Sequence, residues 1–580
     1  MSVESVITEN LDIWTSAIKT KSASGRGSSN KLELYGIKKL RELILDLAIR
    51  GNLVHQDRTD EPASILLQRI EEQKSKLVKD KIIKKTKKSP PINTDELFFD
   101  IPKNWQWRRL NDVYDVRDGT HDSPKPIEVG YPLVTSKNLS SGKLDLSNVK
   151  YISEQDHLKI IQRSNVDRDD ILFAMIGSIG NPVIVDIEPN FSIKNVGLFK
   201  YYSKEDCNPE FLKYYLIFAS KVFKSSSSGG VQPFVSLTKL REFLIPVPPL
   251  EEQNRIADKV KELMALCDQL ESQTESSIEA HKTLVKTLLA TLTNAKDADE
   301  LNESWQRISE HFDTLFTTED SIDQLKQTIL QLAVMGKLVK QDSNDEPASA
   351  LLERIAEVKE QLIKDKKIKK QKVLPPISED DKRFNIPTSW EWTRFGIVAL
   401  SRLGKMLDKA KNKGELLPYL RNTNVQWRRF ELDDLKLMRF EDSELYEFKL
   451  KKGDLLICEG GEPGRCAIWN EELNEMYFQK ALHRARPFAD VLPEYLEVCL
   501  TVDCGNGVLE EYFTGATIKH LVGAKLNSYI IPLPPAQEQK RIVDQVSRLT
   551  AICNGLKLQL VKSQETQKYL ADSISSSLVN

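Results

Sequence analysis

Apolar positions fall at helical spacing over two unusually long stretches. After Pro246-Val-Pro-Pro, Ile256, Val260, Leu263, Leu266 or Cys267, and Leu270 recur every three or four residues. A polar patch follows, then Leu284, Leu288 and Leu292. This is the apolar face of an amphipathic helix, and Glu251 and Glu252 in its first turn suit the helix dipole, so the helix should begin near Leu250. The stripe returns at Ile542, Val546, Leu549, Ile552, Leu556, Leu570, Ile574 and Leu578. Both spacings fit a coiled coil. Uninterrupted, the stretch from Leu250 to Asn294 would span about 66 Å at ~1.5 Å per residue. One such helix packs on something; two copies, each following a divergent stretch, point to a spacer or ruler.

The chain is internally duplicated. Residues 40–110 align with 325–395 at an offset of 285, and LRELILDLAIRGNLVHQDRTDEPAS answers LKQTILQLAVMGKLVKQDSNDEPAS with more than half the positions identical. The same offset carries Pro90-Pro91-Ile92 onto Pro375-Pro376-Ile377, and Ile101-Pro-Lys-Asn-Trp onto Ile386-Pro-Thr-Ser-Trp. At an offset of 286, Ile245-Pro-Val-Pro-Pro-Leu-Glu-Glu-Gln matches Ile531-Pro-Leu-Pro-Pro-Ala-Gln-Glu-Gln. Between these anchors, residues 111–242 and 396–528 diverge but keep similar length. The helix starting at Pro535 stops at 580, and the continuation it lacks resembles residues 31–56. Joined head to tail, the chain would form two equivalent halves about a pseudo-two-fold axis.

The divergent inserts share a skeleton of strands and tight turns. Tyr131-Pro-Leu-Val-Thr-Ser-Lys-Asn138 lies over Leu417-Pro-Tyr-Leu-Arg-Asn-Thr-Asn424. Asp170-Ile-Leu-Phe-Ala-Met-Ile-Gly177-Ser-Ile-Gly180 lies over Asp454-Leu-Leu-Ile-Cys-Glu-Gly-Gly461-Glu-Pro-Gly464, each leading into a second short strand, PVIV or CAIW. That is a hairpin signature. The G-x-x-G lacks the lysine and hydroxyl of a P-loop. The polar residues on these turns differ between copies and are of types that pair with base edges. In the first insert the candidates are Thr120, His121, Ser136, Lys137, Asn138, Ser178, Asn181 and Gln232. In the second they are Arg421, Asn422, Thr423, Asn424, Gln426, Glu459, Glu462, Arg465, Gln479, Lys480, His483, Arg484, Thr517 and Lys519. For each one alone, a plain turn or surface role is the competing reading.

Composition narrows the picture. At 580 residues, several independent cores are expected; 40% apolar and 29% charged residues are those of a soluble globular chain. No run of about 18 apolar residues exists to cross a bilayer, and the acidic start MSVESVITENLDIW is not a secretory leader, so a cytoplasmic location is expected. Seven cysteines without any C-x-x-C suggest neither a disulfide framework nor a zinc knuckle, and the seven histidines show no metal spacing. A net charge of −2 means that any nucleic-acid footprint must be local. Two lysine runs, eight lysines in residues 74–88 and seven in 359–372, read as a solvated helical face, with phosphate binding or docking to an acidic partner as alternatives.

The P-P-x-x-E-Q helix starts at Pro248 and Pro534, the I-P-x-x-W-x-W segments at Ile101 and Ile386, the D-E-P-A-S segments at Asp60 and Asp345, and the circularly permuted repeat together resemble one family. It is that of the specificity subunits of type I restriction–modification systems, in particular their IB group. The resemblance covers essentially the whole chain. It implies an α+β fold with two globular target recognition domains of mixed strands and helices, separated by two long antiparallel helices that form a coiled-coil spacer. The implied boundaries are a conserved N-terminal region at 1–100, recognition domains at 101–249 and 386–535, a central conserved region at 250–385 and a terminal spacer helix at 536–580. It further implies double-stranded DNA, two methyltransferase subunits and restriction–translocase subunits as partners. The chain itself would be non-catalytic and without cofactor or metal, with S-adenosylmethionine, ATP and magnesium belonging to the partner subunits. In keeping with this, the chain carries no N-P-P-F or D-P-P-Y methyltransferase motif. A protein-binding scaffold with two variable interaction domains is the alternative.

Overall fold

The computed structural model describes residues 3–21, 31–226, 234–296, 298–370, 374–408 and 412–579. The chain divides into two compact units, residues 1–276 with 563–580, and residues 277–562. The division falls inside the two long helices, Leu250–Asn294 and Ala536–Val579, so each unit takes the beginning of one and the end of the other. No described helix is long and apolar enough to cross a membrane.

Both long helices start where the apolar stripe places them, but the stripe drifts. Ile256, Val260, Leu263 and Cys267 are buried as expected; further along, Val285, Leu289 and Leu292 are buried while Leu284 is 50% exposed. In the second helix Cys553 and Ala571 are buried, whereas Ile552 and Leu570 face solvent. A helix of 3.6 residues per turn does not hold a strict 3.5 repeat on one face, so the buried line shifts by a residue. What it packs against also differs. In the second unit Val285, Leu289 and Cys553 share a core with Ile322, Leu325 and Ile329 of the helix Glu319–Val334.

In the first unit the equivalent helix is Tyr35–Arg50, which lies against both long helices. Arg41 pairs with Asp268 and, at 2.6 Å, with Glu271; the Tyr35 hydroxyl donates to Asp572 at 2.8 Å. The segment resembling the missing continuation therefore packs on the end of the second long helix.

All the repeated motifs converge on one clasp per unit. The helices Tyr35–Arg50 and Glu319–Val334 end at Gly51 (φ 77°) and Gly336 (φ 71°), with Asn52 and Lys337 N–H groups donating back to Leu47 and Leu332 at 3.0 and 2.9 Å. The left-handed conformation favours glycine there, and a Cβ would sit 2.5 Å from Pro102 or Pro387, the prolines of the I-P-x-x-W segments. The tryptophans of those segments, Trp105 and Trp390, each donate through Nε1 at 2.9 Å to a buried carboxylate, Glu252 or Glu538 of P-P-x-x-E-Q. Gln56 and Gln341 donate to the same carboxylates. The neighbouring glutamines are buried too. Gln253 accepts from the Asn208 N–H and donates to the Pro248 carbonyl, both at 3.1 Å, and Gln539 does the same with Leu492 and Pro534 at 3.0 Å. Arg255 and Arg541 pair with Asp60 and Asp345 of the D-E-P-A-S segments. Gly336→Ala is expected to cost roughly 2–4 kcal/mol, from backbone strain and overpacking against Pro387 together, read by denaturant unfolding. A cost within experimental error would mean that the turn relaxes freely.

The two inserts and the segments that flank them fold to the same plan. A two-stranded base, Gln106–Arg109 with Leu244–Val247 or Glu391–Arg394 with Ile530–Leu533, pairs the way in with the way out. Next comes an antiparallel four-stranded sheet, ordered Tyr114–Asp118, Val196–Tyr201, Ile171–Ala174, Gly180–Ile184 in the first domain. The second domain orders Ala399–Leu403, Leu482–Pro487, Asp454–Cys458, Cys466–Trp469 in the same way. Each predicted hairpin is present, as the last two strands of its sheet. A three-stranded sheet with one parallel pairing covers the other face. Ile171 and Phe173 point to one core, Leu172 and Ala174 to another, so these strands are apolar at every position rather than at alternate ones.

The lysine runs are only partly helical. The helices Ala63–Lys79 and Ala348–Lys364 stop at Asp80 and Asp365, and Lys81 and Lys366 take positive φ just beyond. A solvated helical face therefore accounts for the first part of each run alone; the described residues that follow, 81–88 and 366–370, are irregular, and Lys372 lies outside the described residues. Lys74 and Lys359 are half-buried and donate to the carbonyls of Asn111 and Gly396 at 2.8 and 3.1 Å, anchoring each run to the start of its insert.

Candidate nucleic-acid interface

In the first domain, strand ends and turns enclose a cleft of about 930 Å³. Ser136, Lys137, Asn138 and Ser178 of the sequence candidates line it, together with Lys125, Lys150, Lys194 and Asn195. Its acidic member, Asp145, is turned to its own loop, where the Ser147 hydroxyl and N–H hold its carboxyl below the usual range.

Asn138 is a brace rather than a reader. It is buried; its Oδ1 accepts from the Thr135 N–H and hydroxyl at 2.9 and 3.0 Å, and its Nδ2 donates to the carbonyls of Asp145 and Asn148 at 3.0 and 3.4 Å. Thr120 accepts from the Asp122 N–H at 3.1 Å and its carbonyl accepts from the Asn195 N–H, at the mouth of the cleft. His121 contacts Asp118 at 3.0 Å and Asn195 at 2.9 Å. Asn181 is half-buried at positive φ (49°), serving the hairpin turn. Ser136, Lys137 and Ser178 make no side-chain bond among the described residues. Gln232 lies outside them.

The second domain brings its candidates onto equivalent turns. Asn424 is buried and repeats the brace, its Oδ1 accepting from the Arg421 N–H at 3.0 Å and its Nδ2 donating to Glu431 and Asp434 carbonyls at 2.9 and 3.3 Å. Arg421 is held by Asp434 at 2.8 Å, Gln426 donates to the Thr423 carbonyl at 3.0 Å, and Asn422 donates to the Gly460 carbonyl at 3.2 Å. Glu462 accepts from Trp427 at 2.9 Å and from Arg465 at 2.8 Å, and Arg465 also donates to the Asn422 carbonyl. Arg484 is buried over the Phe478 ring and donates to the Glu447 carbonyl; burial beside Arg486 pushes its pKa down to about 10. His483 is buried against the Leu521 carbonyl at 2.8 Å, and burial lowers its pKa. Glu459 stands where the first domain has the buried Met175; the two carbonyls accept from Leu521 and Val235 N–H groups at 2.8 and 2.9 Å.

Set against the expectation of a base-facing role, Asn138, Asn424, Arg484 and His483 are buried side chains: both asparagine amides are bonded within their loops, Arg484 donates to the Glu447 carbonyl and His483 meets the Leu521 carbonyl. Among the described residues, the candidates on the second set of turns whose side chains make no bond are Thr423, Glu459, Gln479, Lys480, Thr517 and Lys519, all exposed or half-buried. Lys125, Lys150, Lys194 and Asn195 line the cleft without lying on the turns that the two inserts share in sequence. Lys194 occupies the place of Gln479, as the equivalent parallel bridges Thr120–Lys194 and Lys405–Gln479 show.

Comparison with known proteins agrees with this geometry. A family model described as the type I restriction modification DNA specificity domain matches residues 102–280 and 387–562, each beginning at the proline of an I-P-x-x-W segment. The type I restriction enzyme EcoEI specificity subunit of Escherichia coli is 37% identical over 600 residues, covering 100% of both chains. The EcoAI specificity subunit of the same organism is 37% identical over 621 residues, again across both chains. The crystal structure of an HsdS subunit from Thermoanaerobacter tengcongensis covers 84% of this chain and 99% of its own at 19% identity. Its TM-score of 0.41 is too low to add to the sequence relatives. With two matched domains and full-length relatives at this identity, the chain belongs to the type I restriction enzyme specificity subunits.

Proposed function

We propose that this chain is the non-catalytic, sequence-reading subunit of a type I restriction–modification complex, each recognition domain reading one half of a bipartite, asymmetric DNA site. The observation that carries this is one scaffold built twice, with the same clasp, sheet order and turn brace, presenting different unbonded side chains on equivalent turns. A scaffold duplicated to read two identical halves would not need to differ there. The long helices fit the role of spacer and docking frame for two methyltransferase subunits, with restriction–translocase subunits joining the assembly. S-adenosylmethionine, ATP and magnesium then belong to those partners. Lysines along the first cleft provide local phosphate attraction in a chain whose overall charge is only −2.

The test is to purify the chain with its methyltransferase, supply genomic DNA and methyl donor, and map the modified adenines. A single two-part motif with a fixed gap is expected. Modification without sequence preference would overturn the reading.

A further inference from the structure

The two turn braces are the same device with a different residue at the apex. In each, an asparagine side chain ties the start of a 3₁₀ turn to two carbonyls of the following loop, at Asp145 and Asn148 or at Glu431 and Asp434. The residue just before that asparagine is Lys137 in one domain and Thr423 in the other. Both are exposed, and neither side chain is bonded among the described residues. A backbone fixed this firmly with a free side chain on it meets the positional precision that base discrimination needs.

Resting on the half-site reading above, we infer that positions 137 and 423 are one reading position occupied by two residues, and that Lys137 reads a guanine in the first half-site. The ammonium group donates to acceptors, and guanine O6 and N7 form the paired acceptor edge of the major groove. Lys125 and Lys150, on the same cleft and likewise without an ion pair among the described residues, supply charge for the phosphates, leaving the braced lysine for a base. The Thr423 hydroxyl both donates and accepts, so the same position in the second half-site does not single out guanine.

Exchange of the two residues tests this. The complex carrying Lys137→Thr is expected to lose guanine preference at one position of the first half-site, by about 5- to 150-fold. Its second half-site and thermal stability should be unchanged. Thr423→Lys should create a guanine preference at one position of the second half-site. Lys125→Gln is the comparison, weakening binding to all sequences alike. An unchanged methylation motif in Lys137→Thr would overturn the inference while leaving the half-site reading intact. A wild-type complex with no motif at all would defeat the half-site reading itself.

Discussion

Glu252→Ala is expected to destabilise the first unit by about 3 kcal/mol, and Glu538→Ala the second by a similar amount. Each substitution removes a buried acceptor, leaves a tryptophan N–H and a glutamine amide without it, and opens a cavity at the junction of three segments. Denaturant unfolding of the complex-free chain would read two transitions shifted separately; losses under about 1 kcal/mol would show that the clasp is dispensable.

The same carboxylates make stability depend on pH. Burial pushes both carboxyls above the ordinary range, against the smaller opposing effect of the tryptophan and glutamine hydrogen bonds. The folded state then holds its protons to higher pH than the unfolded chain. Stability should fall as pH rises from the ordinary carboxylate value through the raised one, and level off above it. Glu252→Gln with Glu538→Gln should flatten that slope. A wild-type curve that rises over the same window would contradict the assignment.

The second large effect concerns specificity. Replacing residues 111–242 with the corresponding insert of another specificity subunit should abolish the original preference in one half-site, by on the order of 10³-fold, and leave the other half-site unchanged. The physical basis is the two-stranded base. Gln106–Arg109 and Leu244–Val247 lie just outside the exchanged segment and hold its ends together. Arg109, buried, ties that base to the Pro90, Pro91 and Glu242 carbonyls, as Arg394 does with Pro375, Pro376 and Ser528. A chimera with both halves of its motif altered would show that the domains do not read independently.

Which residues of the exposed turns face outward is not legible in the sequence. Composition marks Asn138, Lys137 and Ser136 alike as possible readers, since polarity and turn position are common to all three. Whether an amide reaches DNA or its own loop depends on where the carbonyls of Asp145 and Asn148 arrive, and those come from residues seven and more positions away. Arg484 is a parallel case. Its strand crosses the middle of a sheet covered on both faces, which a short motif around it does not reveal.

By itself the sequence determined the duplication, the permuted order of its parts, the long helices and their starting points, and the hairpins of both inserts. These follow from local spacing and from identity between two copies, and neither needs a partner in space. Tertiary structure alone decided that the recurring motifs meet in one clasp per unit, that the apolar stripe slides by a residue along each long helix, and which turn residues remain free to bind. Those outcomes depend on contacts between segments far apart in the chain, whose geometry no local pattern contains.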